Sequence, residues 1–317
     1  MTTLTRDLRA MDLSDVLDRA LALYRDNFVT ILGIYAVGYV PLWLVVGFSG
    51  HLLSDAALKA FSYKKPETME ETSALLAILG GIGLVGVIFI GVLIIEPIVT
   101  GAIARAVSDQ MFGRRTSIRA AYRAVRGGVF ALLLSSLIRL GAVYGAYNLI
   151  HVFVSLLSVA LAALLTTGLV LMLLLELAAL VVASLVYVAF AFLGQIVVLE
   201  NRGTAATITR SWRLVSGRLW RTSAIAGFVA LLVTALAAAI GAPLLLGAGM
   251  LTWREATPEG IAAMTTTFIT VTAVSVILVG PILTLATTLM YYDLRVRSEG
   301  LDVEMMAAHI GRGDALP

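Results

Sequence analysis

Two charged side chains, Arg139 and Glu96, lie deep within apolar runs of the sequence, where a lone charge would be costly. Arg139 follows Gly128 by 11 residues, which is about 16 Å along a helix. Glu96 precedes Arg105 by nine residues, or about 14 Å. Because these depths match, we expect an ion pair inside a helical bundle. The pair could gate a polar path, bind a lipid headgroup or serve only as a structural link between helices.

Two prolines within apolar runs, Pro97 and Pro281, are the next candidate site residues. A proline inside a helix removes one backbone hydrogen bond and crowds the preceding turn, so we expect both residues to kink their spans. A kink frees backbone carbonyl groups, which transporters use for binding and which ordinary helix packing also tolerates.

Catalytic chemistry has little support in this sequence. Ser49, between Phe48 and Gly50, has a setting like that of the nucleophile in rhomboid proteases. A serine nucleophile needs a base within hydrogen-bond reach, yet His51 would face another side of the helix and only His151 of a later span could approach. An intramembrane serine protease is therefore a remote alternative. With no cysteine and three scattered histidines, we expect no catalytic residue, no metal site and no cofactor.

The chain that positions these residues is too apolar for a soluble core. Of its 317 residues 60% are hydrophobic and 14% are charged, whereas soluble domains carry about 25% charge. A helix of about 20 apolar residues spans a bilayer. The sequence therefore predicts an all-α bundle of six transmembrane helices, at residues 28–49, 74–104, 128–160, 169–199, 219–242 and 262–292.

The arginines are concentrated in the segments on one side of these spans. Segments 1–27, 105–126, 200–221 and 293–317 contain four, six, five and three arginines respectively. The basic residues of the opposite side are Lys59, Lys64, Lys65 and Arg254. By the positive-inside rule, we expect a multi-pass protein of a bacterial inner membrane with both termini in the cytoplasm.

A short amphipathic helix followed by a hairpin of two spans is predicted three times along the chain. Pro97 and Pro281 lie at matching places in the first and third copies, where the second copy has Gly194 and Gln195. The copies cover about 12–108, 115–200 and 204–297 of a single membrane domain, and a cytoplasmic tail follows at 298–317.

Three motifs indicate a family resemblance. They are Leu13-Ser14-Asp15-Val16-Leu17-Asp18-Arg19-Ala20, Arg210-Ser211-Trp212-Arg213-Leu214-Val215-Ser216-Gly217 and Tyr291-Tyr292-Asp293-Leu294-Arg295-Val296-Arg297-Ser298-Glu299-Gly300. With them, the chain resembles the bacterial glycerophosphoryl diester phosphodiesterase membrane domain family over roughly residues 11–305. The resemblance implies a six-span membrane module without the separate catalytic barrel that gives some members their activity.

The arginine-rich helices 117–126 and 204–216 could lie in the inner interface, with an apolar stripe toward the acyl chains and guanidinium groups toward anionic headgroups. Alternatively, their arginines only enforce topology. The residues expected to contact anionic lipid are Arg115, Arg119, Arg123, Arg126, Arg210 and Arg213.

These features favour a non-enzymatic inner-membrane protein, a lipid-contacting scaffold or accessory subunit. Its expected partners are membrane lipids and either a membrane protein or a second copy of the chain, without nucleic acid. The alternative is a transporter or channel-like protein for a small or lipid-derived solute.

Overall fold

The computed structural model describes residues 10–62, 66–161, 165–252, 258–301 and 303. Within these ranges the chain is all-α, and no strand is present. The helices are α1 (Leu13–Asp26), α2 (Phe28–Ser62), α3 (Pro66–Met111), α4 (Ile118–Val125), α5 (Val129–Leu161), α6 (Leu165–Ala189), α7 (Leu193–Glu200), α8 (Thr204–Ser216), α9 (Leu219–Thr252) and α10 (Pro258–Glu299). A short 3-10 helix, Arg126–Gly128, joins α4 to α5.

Six stretches of helix are long and apolar enough to cross a membrane, which confirms the predicted fold class. They are Phe28–Leu52, Leu79–Met111, Ile118–Leu157, Val170–Glu200, Leu219–Gly247 and Ala263–Glu299. The second, fourth and fifth spans bury only 11% of their most apolar window inside the chain. Most of their apolar surface therefore faces outward, as a membrane requires.

The last helix, α10, is the central element of the bundle. Its apolar window is 44% buried, and it contacts α9, α2, α1, α3 and α8. Its fully buried side chains include Leu285, Leu289, Tyr291 and Leu294. The core is thus densest toward the end of α10 that meets the short helices.

The short helices α1, α4 and α8 each precede a pair of long spans, and each buries one face. α1 buries Val16 and Ala20, α4 buries Ala121 and Val125, and α8 buries Val215. A local cap defines where α4 begins, since the Ser117 hydroxyl accepts the Ala120 N–H at 3.3 Å. Whether the three units are related in sequence stays a prediction.

The fourth span is interrupted, although it has no proline at the interruption. α3 and α10 are continuous through Pro97 and Pro281, so neither proline ends a helix, and the expected kinks stay predictions. The fourth span instead breaks between Ala189, the end of α6, and Leu193, the start of α7.

This break is supported by a side chain from α8. The buried Ser211 hydroxyl donates to the Ala189 carbonyl at 2.8 Å. The amides of Phe190 and Ala191 close the last turn on the carbonyls of Tyr187 and Val188, both at 3.1 Å. The carbonyls freed by the break therefore have partners, as a buried backbone requires.

Candidate functional site

The structure brings together Arg139 of α5 and Glu96 of α3. Arg139 Nη2 donates to Glu96 Oε2 at 2.6 Å, with 12% and 27% of the two side chains exposed. The same nitrogen donates to Ser136 Oγ, and Thr100 Oγ1 donates to Glu96 Oε1, both at 3.4 Å. The guanidinium carbon also lies 5.2 Å from the centre of the Tyr187 ring, within cation–π range. The pair links the first predicted hairpin to the second.

A small polar cleft surrounds this pair where α7 begins. α7 lies close against α3, since a Cβ at Gly194 would lie 3.1 Å from Thr100 Cγ2. The lining residues are Glu96, Pro97, Thr100, Leu132, Ser136, Arg139, Leu193 and Gly194. The cleft encloses about 210 Å³ including its open mouth, and its interior has room for about one water molecule.

A second polar pair in the membrane-spanning part was not predicted from the sequence. His151 Nδ1 lies 2.6 Å from Glu176 Oε1, and the Tyr147 hydroxyl donates to Oε2 at 3.5 Å. Within the described ranges His151 forms no hydrogen bond with Ser49, so the protease alternative gains no support. The usable signal was the similar distance of His151 and Glu176 from the middle of the α5–α6 hairpin. The predicted spans at 128–160 and 169–199 placed that middle too late, since α6 begins at Leu165.

Asp293, near the carboxyl end of α10, is the centre of an ion cluster. Its carboxylate, 3% exposed, accepts the Met11 N–H at 2.7 Å and receives Arg221 Nη1 and Arg297 Nε, both at 2.8 Å. The same two arginines donate to the Met11 carbonyl at 2.6 and 3.0 Å. The peptide groups of Met11 are thus clamped by α9 and α10.

The lipid contact predicted for Arg210 does not agree with the surroundings of this side chain. Its Nε donates to both oxygens of Glu200 at 3.1 Å, and its two terminal nitrogens donate to Glu299. Only 11% of the side chain is exposed, because α8 packs between the ends of α7 and α10. The hydrogen bond to Glu299 raises the pKa of Arg210 above its ordinary value. With carboxylates on two edges, this guanidinium is not available to lipid headgroups.

The remaining predicted lipid-contacting residues are placed differently. Arg115, Arg119, Arg123 and Arg126, which we call the arginine surface, are all exposed, as is Arg213 of α8. Within the described ranges none of these five arginines forms an ion pair or a side-chain hydrogen bond. The sequence has no acidic residue from 110 to 175, and the preceding Asp109 is paired with Arg105.

Packing fixes the orientation of α4 and hence of the arginine surface. Ala121 and Val125 are buried, and the Tyr122 hydroxyl donates to the Ile34 carbonyl of α2 at 2.6 Å. Arg119 and Arg123, one turn apart, lie on the face turned away from this contact. The guanidinium groups are therefore presented together.

Within the described ranges no group of three or more His, Asp or Glu is arranged to hold a metal ion. The pairs and clusters above are ion pairs with arginine or histidine. They connect neighbouring helices.

No protein-family model matches the chain, and no curated protein or solved structure is similar to it at a significant level. Membership of the glycerophosphoryl diester phosphodiesterase membrane domain family therefore stays a prediction from three motifs. The chain is an all-α, multi-pass membrane protein with six candidate spans.

Proposed function

We propose that the chain is a non-enzymatic integral membrane protein that binds anionic lipid headgroups through its arginine surface and supports a membrane partner as a scaffold or accessory subunit. The observation that carries this proposal is the charge of that surface, which is exposed and has no carboxylate partner within the described ranges.

The electrostatic attraction is large enough to select lipids. Each basic residue close to an anionic leaflet contributes about 1 kcal/mol, so the arginine surface would favour anionic lipid by about 4 kcal/mol before screening by salt. A guanidinium group also binds two phosphate oxygens at once, which gives the contact geometric preference. Phe112 and Phe130, which precede and follow the arginine surface in the sequence, are exposed and supply apolar side chains that can enter the acyl boundary beside it.

A role in topology alone accounts less well for this pattern. The positive-inside rule is satisfied by arginines that are paired, such as Arg210 and Arg221, as well as by unpaired ones. A topological signal therefore gives no reason for unpaired arginines to be collected on and beside one short helix. Lipid binding gives that reason.

The partner of the scaffold would contact the apolar surface of the bundle. Three spans bury 11% of their apolar window inside the chain, which leaves a wide surface for lipid, another membrane protein or a second copy. Small residues on α9 at intervals of four, Ala226, Ala230, Thr234 and Ala238, suit close contact between helices.

Transport of a small or lipid-derived solute is the second candidate, and the cleft around Arg139 and Glu96 is the observation that favours it. Its volume of about 210 Å³, open mouth included, is below the range of about 300–1,000 Å³ for small-molecule pockets. We therefore place transport second.

Native mass spectrometry of the full chain, extracted from bilayers of mixed zwitterionic and anionic lipid, tests the proposal. Wild type is expected to retain anionic lipid, and the triple variant Arg119→Gln, Arg123→Gln, Arg126→Gln to lose most of it. The matched control replaces the same residues with lysine, which preserves the charge and the topological signal. If the glutamine variant keeps its orientation and retains as much anionic lipid as wild type, the proposal is wrong.

A further inference from the structure

The break in the fourth span places the amino end of a helix inside the membrane-spanning part of the protein. α7 begins at Leu193, and Leu193 and Gly194 line the cleft beside Glu96. The first amides of a helix have no acceptor within it. No side chain caps this end, and within the described ranges the N–H groups of Leu193, Gly194 and Gln195 donate to no protein acceptor.

A second group at the same end lacks a partner. The Gln195 side chain is completely buried, and neither its amide nitrogen nor its amide oxygen has a hydrogen-bond partner among the described residues. Buried amides are nearly always hydrogen-bonded, because leaving them unpaired in an apolar medium is costly. Gln195 lies outside the lining of the cleft, so this helix end contributes its backbone amides to the cleft, and Gln195 is a separate unsatisfied group beside it.

The opposite wall of the cleft offers complementary groups. Glu96 Oε1 receives only the long 3.4 Å hydrogen bond of Thr100 within the described ranges, so it can accept another. Arg139 uses one of its nitrogens, Nη2, for Glu96 and Ser136. A ligand here would accept from amide or guanidinium N–H groups and donate to a carboxylate oxygen.

We propose that this cleft is a water-binding site, in which a buried water molecule bridges the amino end of α7 and Glu96. Water both donates and accepts, and the interior holds about one such molecule. A halide ion would also accept from the amides, but it would share the cleft with the Glu96 carboxylate. Because Arg139 already neutralises that carboxylate, a neutral ligand leaves the charges balanced.

The inference rests on the cleft and is independent of lipid binding at the arginine surface. A water site in the cleft also gives a role to the break in the fourth span, which contains no proline. Continuous helix at residues 190–192 would leave no free amides at Leu193 and Gly194, which line the cleft, whereas the break supplies them. The bound water hydrates the ion pair.

Water-edited solid-state NMR on the full chain in lipid bilayers tests this site. Labelling leucine with ¹³C and glycine with ¹⁵N selects the five glycines that follow a leucine, and the comparison is between Gly194 and Gly141 of that set. Gly141 is the matched control, because it is two residues from Arg139 but faces outward. Magnetisation from water is expected to reach the Gly194 amide several-fold faster than the Gly141 amide.

Equal and slow transfer at both glycines would overturn the proposal. Replacing chloride with bromide in the buffer is expected to leave the Gly194 amide shift unchanged; a saturable shift would assign the site to a halide and contradict the water assignment. A cleft-filling variant, Ser136→Leu, is expected to abolish the fast transfer at Gly194. If that variant does not fold, the wild-type comparison still decides.

Discussion

Arg139 Nη2 lies 2.6 Å from Glu96 Oε2, which joins α5 to α3 within the membrane-spanning part of the chain. The pair connects two predicted hairpins, and both of its residues line the cleft at the start of α7. Its energetic role can be measured directly.

Removing one partner of this pair is expected to destabilise the protein by about 3–5 kcal/mol, because the other charge is left buried and alone. Arg139→Met and Glu96→Leu should each lower the thermal unfolding temperature in bilayer nanodiscs. The double variant should recover much of the loss, which a double-mutant cycle would report as a strong coupling. Additive losses would mean that the two side chains act independently.

Asp293→Asn is expected to release the peptide groups of Met11 from α10. The carboxylate is buried and receives two arginines, so its loss should cost about 3 kcal/mol. The measurement is limited proteolysis near Met11, which should become faster, together with the unfolding temperature. Asp26→Asn is the control, since its pair with Arg25 is exposed and should contribute little. Equal behaviour of both variants would contradict the clamp.

Replacing two arginines of α8, three residues apart, should change stability to very different extents. Arg210→Ala leaves Glu200 and Glu299 without their shared partner and is expected to lower stability by about 2 kcal/mol. Arg213→Ala removes an exposed, unpaired side chain and should change stability by less than about 0.5 kcal/mol. Thermal unfolding of the two variants in the same lipid checks this. A larger loss for Arg213 would show that the pairing does not stabilise α8.

Much of the fold follows from hydrophobicity, because each span needs only a local run of apolar residues. Depth along the helix was enough to pair Arg139 with Glu96. The clusters around Asp293 and Glu299 were missed because their partners are distant: Met11 lies 282 residues from Asp293, and Arg210 lies 89 from Glu299. No proline marks the break at 190–192 in the sequence, and the break depends on a hydroxyl of α8, which is distant in sequence.

Ser211→Ala is expected to weaken that break. The buried Ala189 carbonyl would lose its donor, at a cost of about 1–3 kcal/mol. Ser216→Ala, on the exposed end of the same helix, is the control and should have little effect. Unfolding temperatures in nanodiscs report the difference. Identical values for the two variants would remove Ser211 from the support of the break.

Recruitment of anionic lipid by the arginine surface can be measured by electron paramagnetic resonance of spin-labelled lipids around the reconstituted wild-type chain. The association constant of an anionic lipid relative to a zwitterionic lipid is measured at low and high salt. We expect a clear preference for the anionic lipid that weakens as salt screens the charges and falls in the triple glutamine variant. Equal association of both lipids with the wild-type chain at low salt would contradict it.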